Sequence, residues 1–154
     1  MVLILVIQSV RGALTEGRFL VFESNGHALS FDAEQKALSV APTVGSHDSP
    51  SQRFILHATA PPPATTFTIQ PADTPSTGFI SSNHQLTTSM NDAAVFNITD
   101  LGFGRGYTVQ QVSSNGNFVS FSEGNAAVQL GEQQQTFSVF SVTKSTDSGQ
   151  GFLN

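Results

Sequence analysis

One hydrophobic pattern recurs three times along the chain, and this recurrence restricts the fold more than any other feature. Phe19-Leu-Val21, Phe67-Thr-Ile69 and Tyr107-Thr-Val109 each read aromatic-x-aliphatic, the alternation of a half-buried strand. Each runs into a turn rich in Gly, Asn, Ser or Pro that contains Gly26, Gly78 or Gly116, where freedom to adopt positive φ suits a tight hairpin. A second strand with a central serine follows: Ala28-Leu-Ser30-Phe, Phe79-Ile-Ser81-Ser and Phe118-Val-Ser120-Phe. After a polar turn comes a short third strand, Ala37-Leu-Ser-Val40, Gln85-Leu-Thr-Thr88 and Ala127-Val-Gln-Leu130. The unit closes on Phe54-Ile-Leu56, Phe96-Asn-Ile98 and Phe137-Ser-Val139, again aromatic-x-aliphatic. Four strands therefore occur three times.

A unit of roughly 40 residues cannot cover its own apolar face, so copies must bury it against each other. Three four-stranded blades fall below the usual propeller range, whereas three such units close a β-trefoil. The pattern thus predicts an all-β chain, a β-trefoil of twelve strands in three pseudo-repeats. The trefoil domain is expected over residues 18–143, with an N-terminal segment at 1–17 and a flexible C-terminal tail at 144–154. The first unit is longer than the second. Its excess lies in residues 43–51, rich in Gly, Ser, Asp and Pro, and in residues 60–66, with three consecutive prolines; both read as surface connections.

Composition agrees. Only 11% of residues are charged, and thirteen Phe with no Trp and one Tyr supply the aromatic mass. A helical protein uses many more Lys, Glu and Arg to solvate its outer faces, while a chain rich in Ser, Thr, Val and Phe suits sheet. A net charge of −5 with six basic residues excludes binding to a phosphate backbone, which needs clustered Lys and Arg. It excludes polybasic membrane attachment for the same reason. Without Cys there is no disulfide, thiolate nucleophile or Cys-zinc site. Val2-Leu-Ile-Leu-Val-Ile7 is the one solidly apolar run. It is far short of the roughly 20 residues of a membrane span, so no membrane insertion is expected. It reads as an atypical signal core lacking a preceding Lys or Arg, as an extra buried strand, or as the end of an upstream domain.

Gln52-Arg-Phe54 and Gln135-Thr-Phe137 resemble the Gln-x-Trp signature of ricin-B-like trefoils, with Phe in place of Trp. The middle unit, Ala94-Val-Phe96, lacks the Gln. The passage Thr108-Val-Gln-Gln-Val-Ser-Ser-Asn-Gly116 is similar to that family's first-to-second strand connection, and the resemblance covers about residues 18–143. It implies sugar binding through an Asp on the second strand, an aromatic platform after the third and an Asn before the Gln-x-Trp. Here the Asp place holds Ser30, Ser81 and Ser120. The platform place holds Ala41, Ser89 and Gly131, and the Asn place Ser51, Ala93 and Gln134. No unit keeps the set, so any glycan is bound by other contacts.

Other constellations are weak. His27, His47, His57 and His84 show no i, i+4 pair, so no metal site or cofactor is expected. There is no Gly-x-Ser-x-Gly elbow, and His47-Asp48-Ser49 looks like a loop tip. Asp32, Glu34, Asp92, Glu123 and Glu132 all fall in expected turns rather than as paired carboxylates. Gly102-Phe-Gly-Arg-Gly106 lacks the Lys-Ser/Thr ending of a phosphate loop and reads as the connection between the second and third units. Asn97-Ile-Thr99 is a glycosylation sequon that matters only in a secreted chain. The convergent polar groups lie in the turns between second and third strands, which makes Asp32, Glu34, Asn83, His84, Glu123 and Asn125 the candidate ligand-binding residues. The chain is therefore expected to be no enzyme but an extracellular binding module, free-standing or accessory to a secreted hydrolase. The resemblance implies that it is lectin-like and carbohydrate-binding. The alternative is a trefoil-type protease inhibitor or protein-interaction domain using residues 43–51.

Overall fold

The computed structural model describes residues 2–147 except 11, 13, 15, 16, 46, 48, 73–77, 113, 114, 123, 125 and 126, and gives residues 2–6 and 143–147 as backbone. The described residues are all-β. Thirteen strands run in chain order: β1 (Val2–Ser9), β2 (Phe19–Ser24), β3 (His27–Asp32), β4 (Ala37–Pro42), β5 (Phe54–Ala58), β6 (Thr66–Pro71) and β7 (Phe79–Ile80), then β8 (Leu86–Thr87), β9 (Phe96–Asp100), β10 (Tyr107–Gln111), β11 (Asn117–Ser120), β12 (Gln129–Gly131) and β13 (Ser138–Asp147). Short 3-10 turns occur at Pro50–Gln52 and Met90–Asp92. No helix among the described residues is long and apolar enough to cross a membrane.

Every pairing among these strands is antiparallel. β13 pairs with β2, β2 with β5, β5 with β6, β6 with β9 and β9 with β10. β10 returns to the start of β13 through the Tyr107–Phe137 bridge, where each residue's N–H donates to the other's carbonyl at 2.8 Å. Six strands thus form a closed ring. Hairpins β3–β4, β7–β8 and β11–β12 project from it.

The ring's register sets the core. Leu20 lies opposite Phe54, Phe67 opposite Phe96 and Tyr107 opposite Phe137, and all six are at most 2% exposed. Phe22, Ile69 and Val109 follow on the same face, with Leu56, Ile98 and Val139 across from them in one cluster. Each such side chain contributes roughly 1.5–3 kcal/mol on burial. The first unit therefore departs by one residue from the pattern expected of it. Leu20 and Phe22, rather than Phe19 and Val21, occupy the positions matching Phe67 and Ile69. Phe19 and Val21 instead join a smaller outer cluster with Ala28, Val142, Ile7 and Phe140. Both faces of β2 are covered over residues 19–22, so that stretch is apolar throughout and its alternation does not reveal which side faces the ring.

Gly26 and Gly116 take positive φ, +78° and +69°, as their hairpin turns require. Gly78 does not serve this purpose. A Cβ there would lie 2.5 Å from Leu86 Cδ1, so close packing is its role.

β1 pairs with β13 along its full length, from Val2 opposite Asp147 to Ser9 opposite Phe140. The tail expected from residue 144 is thus strand as far as Asp147; residues 148–154 lie outside the described set. Between β1 and β2 the chain packs Leu14 into the main cluster, and the Tyr107 hydroxyl donates to the Gly12 carbonyl at 2.5 Å.

Candidate functional site

Two projecting hairpins are stitched edge to edge. Leu38 N–H donates to the His84 carbonyl at 2.7 Å and Leu86 N–H to the Lys36 carbonyl at 2.8 Å, with Ala37 bridged to Gln85. Asp32 closes β3, and its Oδ1 accepts the Glu34 and Gln35 amides at 2.9 and 3.1 Å. A short acidic side chain that bonds its own backbone ahead is what makes such a turn. Asn83 does the same in the β7–β8 turn, where its Oδ1 accepts the Ser81 hydroxyl and the Gln85 amide. Local sequence thereby sets the two polar turns, and the stitching sets their separation.

Between the hairpins lies an open depression of about 460 Å³, lined by Asp32, Gln35, Asn83, His84 and Gln85, with Ala127 and Val128 from the third unit. A second depression of about 510 Å³ occupies the middle unit, beside Ser81, Thr87, Asn91 and Asp92. Asn83 and Gln85 line both.

His84 is fixed from below. It adopts φ +67°, and its Nε2 lies 2.9 Å from Gln111 Oε1. Gln111 is fully buried, and its Nε2 donates to the Ser82 carbonyl at 2.9 Å. With that amide so oriented, Oε1 must accept, which places a proton on His84 Nε2. Gln111 is the residue that sequence reading missed. The signal was present: Tyr107, Val109 and Gln111 share one face at strand period, so a polar side chain was due to point inward with Tyr107.

Asp32, Asn83 and His84 thus stand around one depression. Glu34 stays on the exposed turn outside its lining, and Glu123 and Asn125 lie outside the described residues. The other histidines are held elsewhere: Nδ1 of His27 is 3.3 Å from the Asn25 carbonyl, and Nε2 of His57 is 2.6 Å from Gln70 Oε1. His47 packs against Phe140 with ring centroids 4.4 Å apart and the rings tilted by 41°. Among the described residues no three His, Asp or Glu side chains are grouped to hold a metal ion.

In the resemblance's Asp place, Ser30 and Ser81 are buried, and their hydroxyls donate to the Ala28 and Gln85 carbonyls at 3.3 and 2.8 Å. The Gln residues of the signature bond to backbone. Gln52 accepts the Val44 amide at 3.1 Å and donates to the Pro42 carbonyl at 2.9 Å. Gln135 Oε1 accepts the Phe121 amide at 2.7 Å. In the middle unit Ala94 makes a backbone bond instead, to the Ile80 carbonyl at 2.9 Å.

The depression between the hairpins offers a carboxylate, three side-chain amides and an imidazole, a set suited to hydrogen-bonding a polyol surface. No family model, curated protein or solved structure matches the chain.

Proposed function

We propose that this chain is a non-catalytic binding module of the β-trefoil class, acting outside the cell, and that its ligand is a glycan held between the β3–β4 and β7–β8 hairpins. The convergence of Asp32, Asn83 and His84 on one polar depression carries the reading. The trefoil assignment is supported by the six-strand ring and by the thrice-repeated pairing of Leu20, Phe67 and Tyr107 with Phe54, Phe96 and Phe137. The kinship to ricin-B-like domains is supported by the backbone-bonded Gln52 and Gln135. The ligand contacts differ from that family's, because buried serines fill the Asp place in the first two units.

The test is a glycan array followed by calorimetry on each hit. Asp32→Asn keeps the Oδ1 acceptor that closes the turn and removes the charge. Together with Asn83→Ala it should weaken binding about tenfold or more, since a hydrogen bond to a charged group is worth roughly 1.5–3 kcal/mol. An array without hits, or hits indifferent to both substitutions, rejects the reading.

A second reading, protease inhibition by the loop at residues 43–51, draws on the bracing of its residues Val44 and His47. Gln52 ties down Val44, His47 packs on Phe140, and Val44 stays exposed. A held, exposed loop loses little entropy on docking. Stoichiometric inhibition of a secreted protease, abolished by deleting the loop, would select this reading over the first.

A further inference from the structure

Sheets guard their edges, and three edges here are guarded. β12 has three residues and ends on Gly131, β7 and β8 pair over two residues each, and β4 ends on Pro42. Short strands and proline are standard means of blunting an edge. β1 has none of them. Among the described residues it is the terminal strand of the large sheet, paired on one side with β13. Its eight-residue register is continuous, without a bulge. From Val2 to Val10 the sequence contains no charge, Pro or Gly.

The ribbon also outruns the ring. Among the described residues β13 pairs with β2 only over Ser138–Val142, while its residues 143–147 pair with Val2–Val6 alone. The six consecutive apolar residues Val2-Leu-Ile-Leu-Val-Ile7 put apolar positions on both faces of the ribbon. Ile7 continues into the outer cluster with Phe19, Phe140 and Val142.

We infer that β1 is a self-association edge, pairing antiparallel with β1 of a second copy across a two-fold axis to give a continuous β13-β1-β1-β13 sheet. A second copy fits better than a foreign strand for two reasons. Self-pairing sets an uncharged strand against an uncharged strand, so no like charges oppose each other in the ladder. The two-fold also closes both open edges in one contact, whereas a foreign strand would bring an edge of its own.

The experiment uses the whole chain. At roughly 100 µM, where a contact of micromolar affinity is saturated, sedimentation should give twice the mass of one chain, falling to one chain on dilution. Leu5→Lys, which sets a charge in the middle of the paired strand, against an apolar residue of the copy or against its own equivalent, should give a monomer with unchanged circular dichroism. Because that variant could also disturb the ribbon, a cysteine scan supplies an independent measurement. The chain has no Cys, so one cysteine placed in turn at Leu3, Ile4, Leu5, Val6, Ile7 or Gln8 is the sole thiol. In an antiparallel self-pair only the residue at the axis meets its own copy, since two residues away the equivalents are already ~13 Å apart, beyond disulfide reach. Oxidation should therefore cross-link sharply at one position. A monomer at every concentration, uniform cross-linking along the strand, or a dimer untouched by Leu5→Lys overturns the inference.

Discussion

Tyr107 is the chain's sole tyrosine, and no tryptophan masks it. Burial, with a smaller contribution from the Asp100 carboxylate, pushes its phenol above the usual value. The folded state therefore holds the proton to higher pH than the unfolded chain, which releases it near the ordinary value of about 10. Below that pH both states are protonated and the tyrosine's contribution is intact. Above it the unfolded state alone gains by ionising, and stability falls until the folded phenol also titrates. Absorbance at phenolate wavelengths should thus rise late in the native protein and at the ordinary pH in denaturant. Tyr107→Phe should flatten the alkaline loss of stability in denaturant melts. At the same scale the binding depression was partly legible. Asp32, Asn83 and His84 stood out because turn residues have few other reasons to be polar and local. Gln111 did not, because polar residues on strands ordinarily face water, and only its register shows that it lies under His84.

At the scale of elements, the ring's seam rests on a glycine. Gly106 adopts φ +103°, and a Cβ there would sit 2.5 Å from the Phe137 carbonyl oxygen, beside the paired amides that join Tyr107 to Phe137. Gly106→Ala should cost at least about 1–3 kcal/mol from backbone strain alone, read as a lower urea midpoint. Gly102→Ala, also at positive φ but with open space around its Cβ, should cost less. The strands themselves were readable from the sequence wherever one face carries polar side chains. Phe67-Thr-Ile69 and Tyr107-Thr-Val109 gave the correct inward residues, although Thr68 and Thr108 are also buried, because a hydroxyl marks the outer side. Phe19-Leu-Val-Phe22 did not, since the outer cluster makes both of its faces apolar. The pairing of β1 with β13 was equally hidden, because a uniformly apolar run carries no register.

At the scale of the molecule, the ring is completed by a segment that belongs to none of the three units. Leu14 enters the main cluster from the connection between β1 and β2, and the Tyr107–Gly12 hydrogen bond ties the same connection to β10. Leu14→Ala should cost about 2–5 kcal/mol, as truncating a buried leucine does, measured by thermal or urea denaturation. This would be a large share of a domain's usual 5–15 kcal/mol.

Because β13 pairs with both β1 and β2, the ring joins strands from opposite ends of the described residues. A chain growing from the ribosome cannot shut the ring until residues near 142 have emerged. Its phenylalanine-bearing segments must wait, unprotected, until then. Refolding should accordingly be slow, on the order of milliseconds to seconds.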